Sequence, residues 1–115
     1  MPRVLVVDDH AIIRRGIWSI LSLSLDWEIC GEGANGTEAV LLAEGLQPDI
    51  ILLDLSMPGV NGLEATRSIL KTQPNVKVLM LTLYSSIECV ESAFRAGVRG
   101  FLLKSDAAYE LIRSR

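Results

Sequence analysis

Cysteine is scarce in this chain: Cys30 and Cys89 are the two in 115 residues. They lie far apart and in no metal-like spacing, which argues against a cysteine-built metal site. Both are read as reduced structural thiols. An excess of basic charge is also missing. Eleven Lys and Arg face 14 Asp and Glu, for a formal charge of −3. That balance gives no support for nucleic-acid binding by this chain itself. No apolar stretch approaches the ~18 residues of a membrane span. The run Val4–Val7 is stopped by Asp8-Asp9, too short for a secretory segment, so a cytoplasmic location without membrane contact is expected. No GxGxxG or GxxxxGK[ST] follows any apolar run, so a nucleotide or flavin cradle is unsupported. Repeats, linkers and low-complexity segments are absent as well.

What is present is half hydrophobic, with a length that suits one domain. The stretch that organises it is Asp49–Gly62, DIILLDLSMPGVNG. Ile50–Leu53 is apolar and rich in β-branched residues, as expected of a strand buried on both faces. Asp54 follows at once, and a carboxylate there is costly unless chemistry or a cation uses it. Met57-Pro58-Gly59 and Asn61-Gly62 then force a tight loop. Asp54 is thereby placed at the carboxyl end of a central strand, where open α/β sheets bind ligands.

The same reading extends along the chain. Arg3–Val7 is a first strand that delivers Asp8, Asp9 and His10. Ile13, Ile17, Ile20 and Leu21 form a helix stripe, with Asp9 placed to cap it. Trp27–Gly31 is a weak second strand ended by Gly31 and Gly33. Asn35-Gly36-Thr37-Glu38 opens a second helix to about Leu46, with Ala39, Val40 and Ala43 buried. Leu63, Thr66, Ile69 and Leu70 mark a third helix, closed by Gln73-Pro74-Asn75. Val76–Leu81 is a fourth strand with Thr82 at its end. Ser85–Ala96 is a helix with Ile87, Val90, Ala93 and Phe94 on its stripe, stopped by Gly97. Arg99–Leu103 is a fifth strand and delivers Lys104. Ala107–Arg115 starts a fifth helix that is cut short, so the natural chain is expected to continue beyond Arg115. Strands alternating with helices imply a parallel sheet covered on both faces.

The carboxyl ends of parallel strands share one edge, so Asp8, Asp9, Asp54, Thr82 and Lys104 converge there. Crowded carboxylates repel, and a hard cation such as Mg²⁺ relieves that. A hydroxyl and an ammonium opposite the cation leave one carboxylate between positive groups. This arrangement stabilises a phosphoryl group moving onto a carboxylate oxygen. Singly, each residue is commonplace: a turn Asp, a structural Thr, a solvated Lys. Together they are not, because successive apolar strands each end in the residue type required.

VLVVDDH, DIILLDLSMPGVNG, VLMLT and GFLLK, in this order and spacing, resemble a response-regulator receiver domain over the whole chain. The resemblance implies a flavodoxin-like (CheY-like) three-layer α/β sandwich with a five-stranded parallel sheet in the order 2-1-3-4-5. It implies that a sensor histidine kinase phosphorylates Asp54. Asp8, Asp9, Asp54 and the Ser56 backbone carbonyl would hold Mg²⁺; Thr82 would bond the phosphoryl oxygen, and Lys104 would pair with it. Phe101 matches the rotating aromatic switch, as Phe rather than Tyr. Asp-Asp-His, Gly-Leu-Glu-Ala and the Lys-Ser pair resemble the NarL/LuxR-type subfamily, whose members carry a C-terminal helix-turn-helix. Residues 1–115 would then be the receiver half of a transcription regulator, not itself an enzyme. It would form a homodimer on phosphorylation and meet DNA only through a domain outside this chain. Ser105 stands where the family often has Pro, so a trans Lys104-Ser105 bond is expected.

Other residues receive plainer expectations. His10 is read as a rim residue rather than a ligand. Arg14 and Arg15 are read as a solvated helix face, on the helix where the kinase would dock, and Trp18 and Trp27 as packing. Ser56 and Tyr84 flank the approach of water to the phosphoryl group, Leu83 adds bulk beside Thr82, and together they are expected to slow its loss. Rival readings fail on particular positions. A dehalogenase-type phosphatase needs an acid two residues after Asp54, where Ser56 stands. A pseudo-receiver used only to dimerise would have lost part of the Asp/Thr/Lys set.

Overall fold

A computed structural model describes residues 2–23, 27–54, 61–82 and 87–103. The described elements are β1 (Arg3–Val7), α1 (Ala11–Leu23), β2 (Glu28–Gly33), α2 (Gly36–Leu46), β3 (Ile50–Asp54), α3 (Gly62–Thr72), β4 (Lys77–Thr82), α4 (Ile87–Ala96) and β5 (Gly100–Leu103). All strand pairs are parallel, in the order β2-β1-β3-β4-β5. This is the doubly wound, flavodoxin-like order, and it leaves β3 in the middle.

Side chains alternate across a strand, and the core divides accordingly. Leu5 and Val7 of β1, Ile51 and Leu53 of β3, and Val78 and Met80 of β4 face one layer, with Ala39, Ala43, Ala65, Ile69 and Ala93 from α2, α3 and α4. Val4, Val6, Ile50, Leu52 and Leu81 face the other, with Ile17 of α1 and, less buried, Ile13, Leu21 and Trp27. Every residue of β3 is buried, including Asp54. The expected faces of α2 and α3 are the ones buried: Val40, Leu63 and Leu70 pack partly buried around Ala39, Ala43 and Ile69, and Thr66 is buried with them.

The turns use the residues that local chemistry demands. Asn35 Oδ1 accepts from Glu38 N at 2.9 Å, and Glu38 reaches back to Ala34 N at 2.9 Å. Asn61 Oδ1 accepts from Glu64 N at 2.9 Å. Each is a side-chain cap on an otherwise unsatisfied helix donor. At the end of α4, Val98 N donates to Ala93 O and Gly97 N to Phe94 O, with Gly97 at φ +109°. This is the Schellman arrangement, and it places Gly97 as the stop expected there.

Four expectations are corrected. The second strand does not end at Gly31 but runs to Gly33. A Cβ on Gly31 would come within 2.6 Å of Leu46 Cδ1, so its missing side chain leaves room for the Leu46 side chain of α2 rather than making a turn. The residue directly ahead of α1 is His10, not Asp9; the His10 carbonyl accepts from Ile13 N and Arg14 N. Trp18 is half exposed instead of packed. Phe94 is also half exposed, although it meets Phe101 edge-on, with ring centroids 5.6 Å apart. It lies beside β5, an edge strand, where there is less sheet to cover it.

Candidate functional site

Register decides what meets at the carboxyl edge. Val7 lies opposite Leu53, so Asp8 and Asp54 leave their strands level with each other. Asp54 lies opposite Leu81, and Thr82 follows on β4. Thr82 in turn lies opposite Leu103, the last residue before Lys104. Asp8 and Asp54 are buried to within 1% of complete, while Asp9 and His10 form the exposed rim. One ligand atom from each of Asp8, Asp9, His10 and Asp54 lies within 4.8 Å of all the others.

The chain bends sharply to build this cluster. Asp8 N donates to Gly33 O at 3.1 Å, which carries the β1–β2 pairing one step past the strand. The Asp8 carboxylate then accepts from His10 N at 2.8 Å, closing a turn into α1. Asp8 and Asp9 therefore sit just ahead of a helix N-terminus, where negative charge is favoured. His10 Nδ1 lies 3.1 Å from Asp8 Oδ1 and 3.1 Å from Asp9 Oδ1, with the ring 58% exposed.

Arg14 departs from its expected role. Its side chain is 21% exposed; Nη1 donates to the Asp8 carbonyl at 2.6 Å and Nε to Glu32 Oε1 at 3.3 Å. It ties the end of β1 to β2 instead of standing in solvent. Arg15 is exposed, as expected.

The donor set fits a hard divalent cation: three carboxylates, two of them buried, close enough to share one ion. Asp8, Asp9 and Asp54 would hold it. Phe101 is partly buried against the core and the Phe94 ring. Ser56, Leu83, Tyr84, Lys104 and the Lys104-Ser105 bond lie outside the described residues, as do the loop after Asp54 and the expected fifth helix. At the opposite end of the strands lies a cleft of about 670 Å³, lined by Pro48, Asp49, Gln73 and Lys77 among others. It holds none of the residues expected to act.

The response regulator receiver domain model matches residues 4–114, nearly the whole chain. This chain belongs to that family. Among curated proteins it is similar to the response regulator protein VraR of Staphylococcus aureus, with 47% identity over 109 residues. That match covers 95% of this chain and 52% of VraR, so the chain spans about half the length of this relative. Among solved structures it is similar to a LuxR-family two-component response regulator from Aurantimonas sp. SI85-9A1. There the TM-score is 0.88 and the identity 34%, covering 98% of this chain and 81% of that one. A LuxR-family DNA-binding response regulator from Staphylococcus aureus gives a TM-score of 0.84 and 28% identity, covering 99% and 98%. These relatives agree with the NarL/LuxR-type subfamily resemblance.

Among the described residues, no helix is long and apolar enough to cross a membrane.

Proposed function

We propose that Asp54 accepts a phosphoryl group from the phosphohistidine of a sensor histidine kinase in the cytoplasm, in a Mg²⁺-dependent reaction. The observation that carries this is the level arrangement of Asp8 and Asp54 on neighbouring strands, with Asp9 beside them. An Asp54 carboxylate oxygen attacks phosphorus, the phosphorus–nitrogen bond breaks, and its electron pair stays on the kinase imidazole, which takes up a proton. When bound, Mg²⁺ offsets negative charge on the phosphoryl oxygens and the carboxylates. Asp8 and Asp9, with the Ser56 carbonyl, orient the site. Thr82 donates its hydroxyl to a phosphoryl oxygen, and Lys104 supplies the opposing positive charge.

The reading extends to output. Drawing Thr82 toward the phosphoryl group makes room for Phe101 to turn inward, changing the surface of α4 and β5 and favouring a homodimer. The phosphoryl group shifts that balance only by interacting differently with the two states. Residues 1–115 act as a switch, not as an enzyme, upstream of a C-terminal helix-turn-helix that binds DNA. Support comes from the longer relative and from the DNA-binding regulator to which the chain is similar. Ser56 offers no acid or amide to orient a hydrolytic water, and Leu83 and Tyr84 add bulk, which suits a long-lived phosphoryl group.

The test is Mg²⁺ dependence. A small phosphodonor should label the protein with Mg²⁺ and not with chelator, and Asp9→Ala should raise the Mg²⁺ concentration required. Equal labelling under all these conditions would remove the proposal.

A further inference from the structure

The chain contains a single histidine, and it sits on the acidic cluster. Its position is specific. Nδ1 is 3.1 Å from an oxygen of Asp8 and 3.1 Å from an oxygen of Asp9, so it faces the space those two carboxylates share. Two ligands at right angles on one ion, with bonds of about 2.1 Å, stand about 3.0 Å apart. The His10 nitrogen therefore already has the spacing of a neighbouring ligand to both. One ligand atom from each of the four residues lies within 4.8 Å of the others, close to the diameter of such a sphere, about 4.2 Å.

Donor chemistry then decides which ion gains. Mg²⁺ prefers oxygen and keeps its waters, so an imidazole adds little to its binding. Mn²⁺, Co²⁺, Ni²⁺ and Zn²⁺ accept imidazole nitrogen readily, increasingly so along the series to Ni²⁺. A bland role is also available to the ring. Without a cation, the same 3.1 Å separation is a hydrogen bond from a protonated Nδ1 to the two carboxylates. That bond would compete with any ion. The two roles make opposite forecasts: a ligand strengthens transition-metal binding, and a competitor weakens the binding of every cation.

We propose that His10 is a nitrogen ligand that turns the receiver's acidic cluster into a mixed nitrogen–oxygen centre for first-row transition-metal ions. The ligating form is the neutral ring with its proton on Nε2. The proposal rests on the cation-binding reading of Asp8, Asp9 and Asp54 and adds a second class of ion to it. The 58% exposure of the ring leaves it free to adjust as the carboxylates close on the ion.

The experiment is calorimetric titration of the untagged protein with NiCl₂ and, separately, MgCl₂, for wild type, His10→Ala and His10→Gln. His10 is exposed, so neither substitution disturbs the core. Ni²⁺ affinity should fall about tenfold or more in both variants, while Mg²⁺ affinity changes less than about threefold. Pulsed electron paramagnetic resonance of the Mn²⁺-loaded protein should show nitrogen coupling in wild type and lose it in His10→Ala. With one histidine in the chain, an imidazole signal has one source. Ni²⁺ affinity that falls no further than Mg²⁺ affinity, or that rises in the variants, overturns the proposal while leaving the Mg²⁺-dependent phosphoacceptor intact. Failure of both ions to bind wild type removes the cation-binding reading along with it.

Discussion

Arg14 Nη1 donates to the backbone carbonyl of Asp8 at 2.6 Å, across the turn that joins β1 to α1. The guanidinium also meets Glu32 at 3.3 Å, so one side chain braces the turn from β2. A charged donor on a partly buried carbonyl contributes about 1.5–3 kcal/mol, whereas an ion pair with an exposed partner contributes about 0–1 kcal/mol. The carbonyl bond is therefore the dominant link. Arg14→Gln should lower stability by about 1–2 kcal/mol in urea unfolding and weaken Mg²⁺ binding severalfold by loosening Asp8. Glu32→Gln, which keeps the carbonyl bond, should do neither. Equal effects from the two substitutions would make the ion pair the brace.

Gly97 holds a backbone conformation that a side chain makes expensive. Its φ is +109°, and an added Cβ would collide with Leu70 Cδ1 of α3. The left-handed region costs a residue with a side chain roughly 1–2 kcal/mol, and that backbone cost dominates because the Leu70 methyl ends a flexible side chain that can turn aside. Gly97→Ala should therefore destabilise the protein by about 1–3 kcal/mol, read as a lower urea midpoint with an unchanged slope. Gly45 is the control. A Cβ there meets nothing within 4 Å in the exposed last turn of α2, so Gly45→Ala should stabilise by up to about 1 kcal/mol.

The acidic cluster was legible in the sequence because the Asp8-Asp9 pair and Asp54 each close an apolar run. A parallel sheet brings the ends of such runs together whatever their distance in the chain. Gly97 was legible as a stop because that signal depends on a few adjacent residues, while Asn35 and Asn61 read as turn residues and are side-chain caps. Strand order came only with the family resemblance, because periodicity says which face is buried and not which strand is next to which. Arg14 was misread as solvated. A helical wheel records the direction of a Cα–Cβ bond, while a long side chain can fold back to a carbonyl several residues away. Gly31 was misread as a strand end, because what it faces is the Leu46 side chain of α2, which its neighbours in the chain do not reveal. Phe94 was assigned to a buried stripe that the edge position of β5 only partly covers.

Cys30 reports on the opposite edge of the sheet. It is a free thiol in β2, partly buried against the core. Burial lifts its pKa above the ordinary value of 9.0, and the nearby Arg3 charge opposes that rise only partly. A raised folded value means that the unfolded chain loses this proton first. The contribution of the neutral thiol to stability is thus complete below the unfolded pKa and is lost as pH rises through the folded one. In a Cys89→Ser background, alkylation at pH 8 should be slower for the folded protein than for the same protein in urea, because less of the thiol is ionised. Equal rates in the two states would show that β2 does not shield Cys30.

The central claim is that Asp54 is the phosphoacceptor, and intact mass spectrometry tests it most directly. Wild type and Asp54→Ala are incubated with the same small phosphodonor and Mg²⁺, and the mass of each whole chain is recorded. Asp54 is buried at the centre of the sheet, so circular dichroism of the variant first establishes that it is folded. The account predicts one added phosphoryl group on wild type and none on folded Asp54→Ala. An equal mass gain on the folded variant would contradict it and place the acceptor elsewhere.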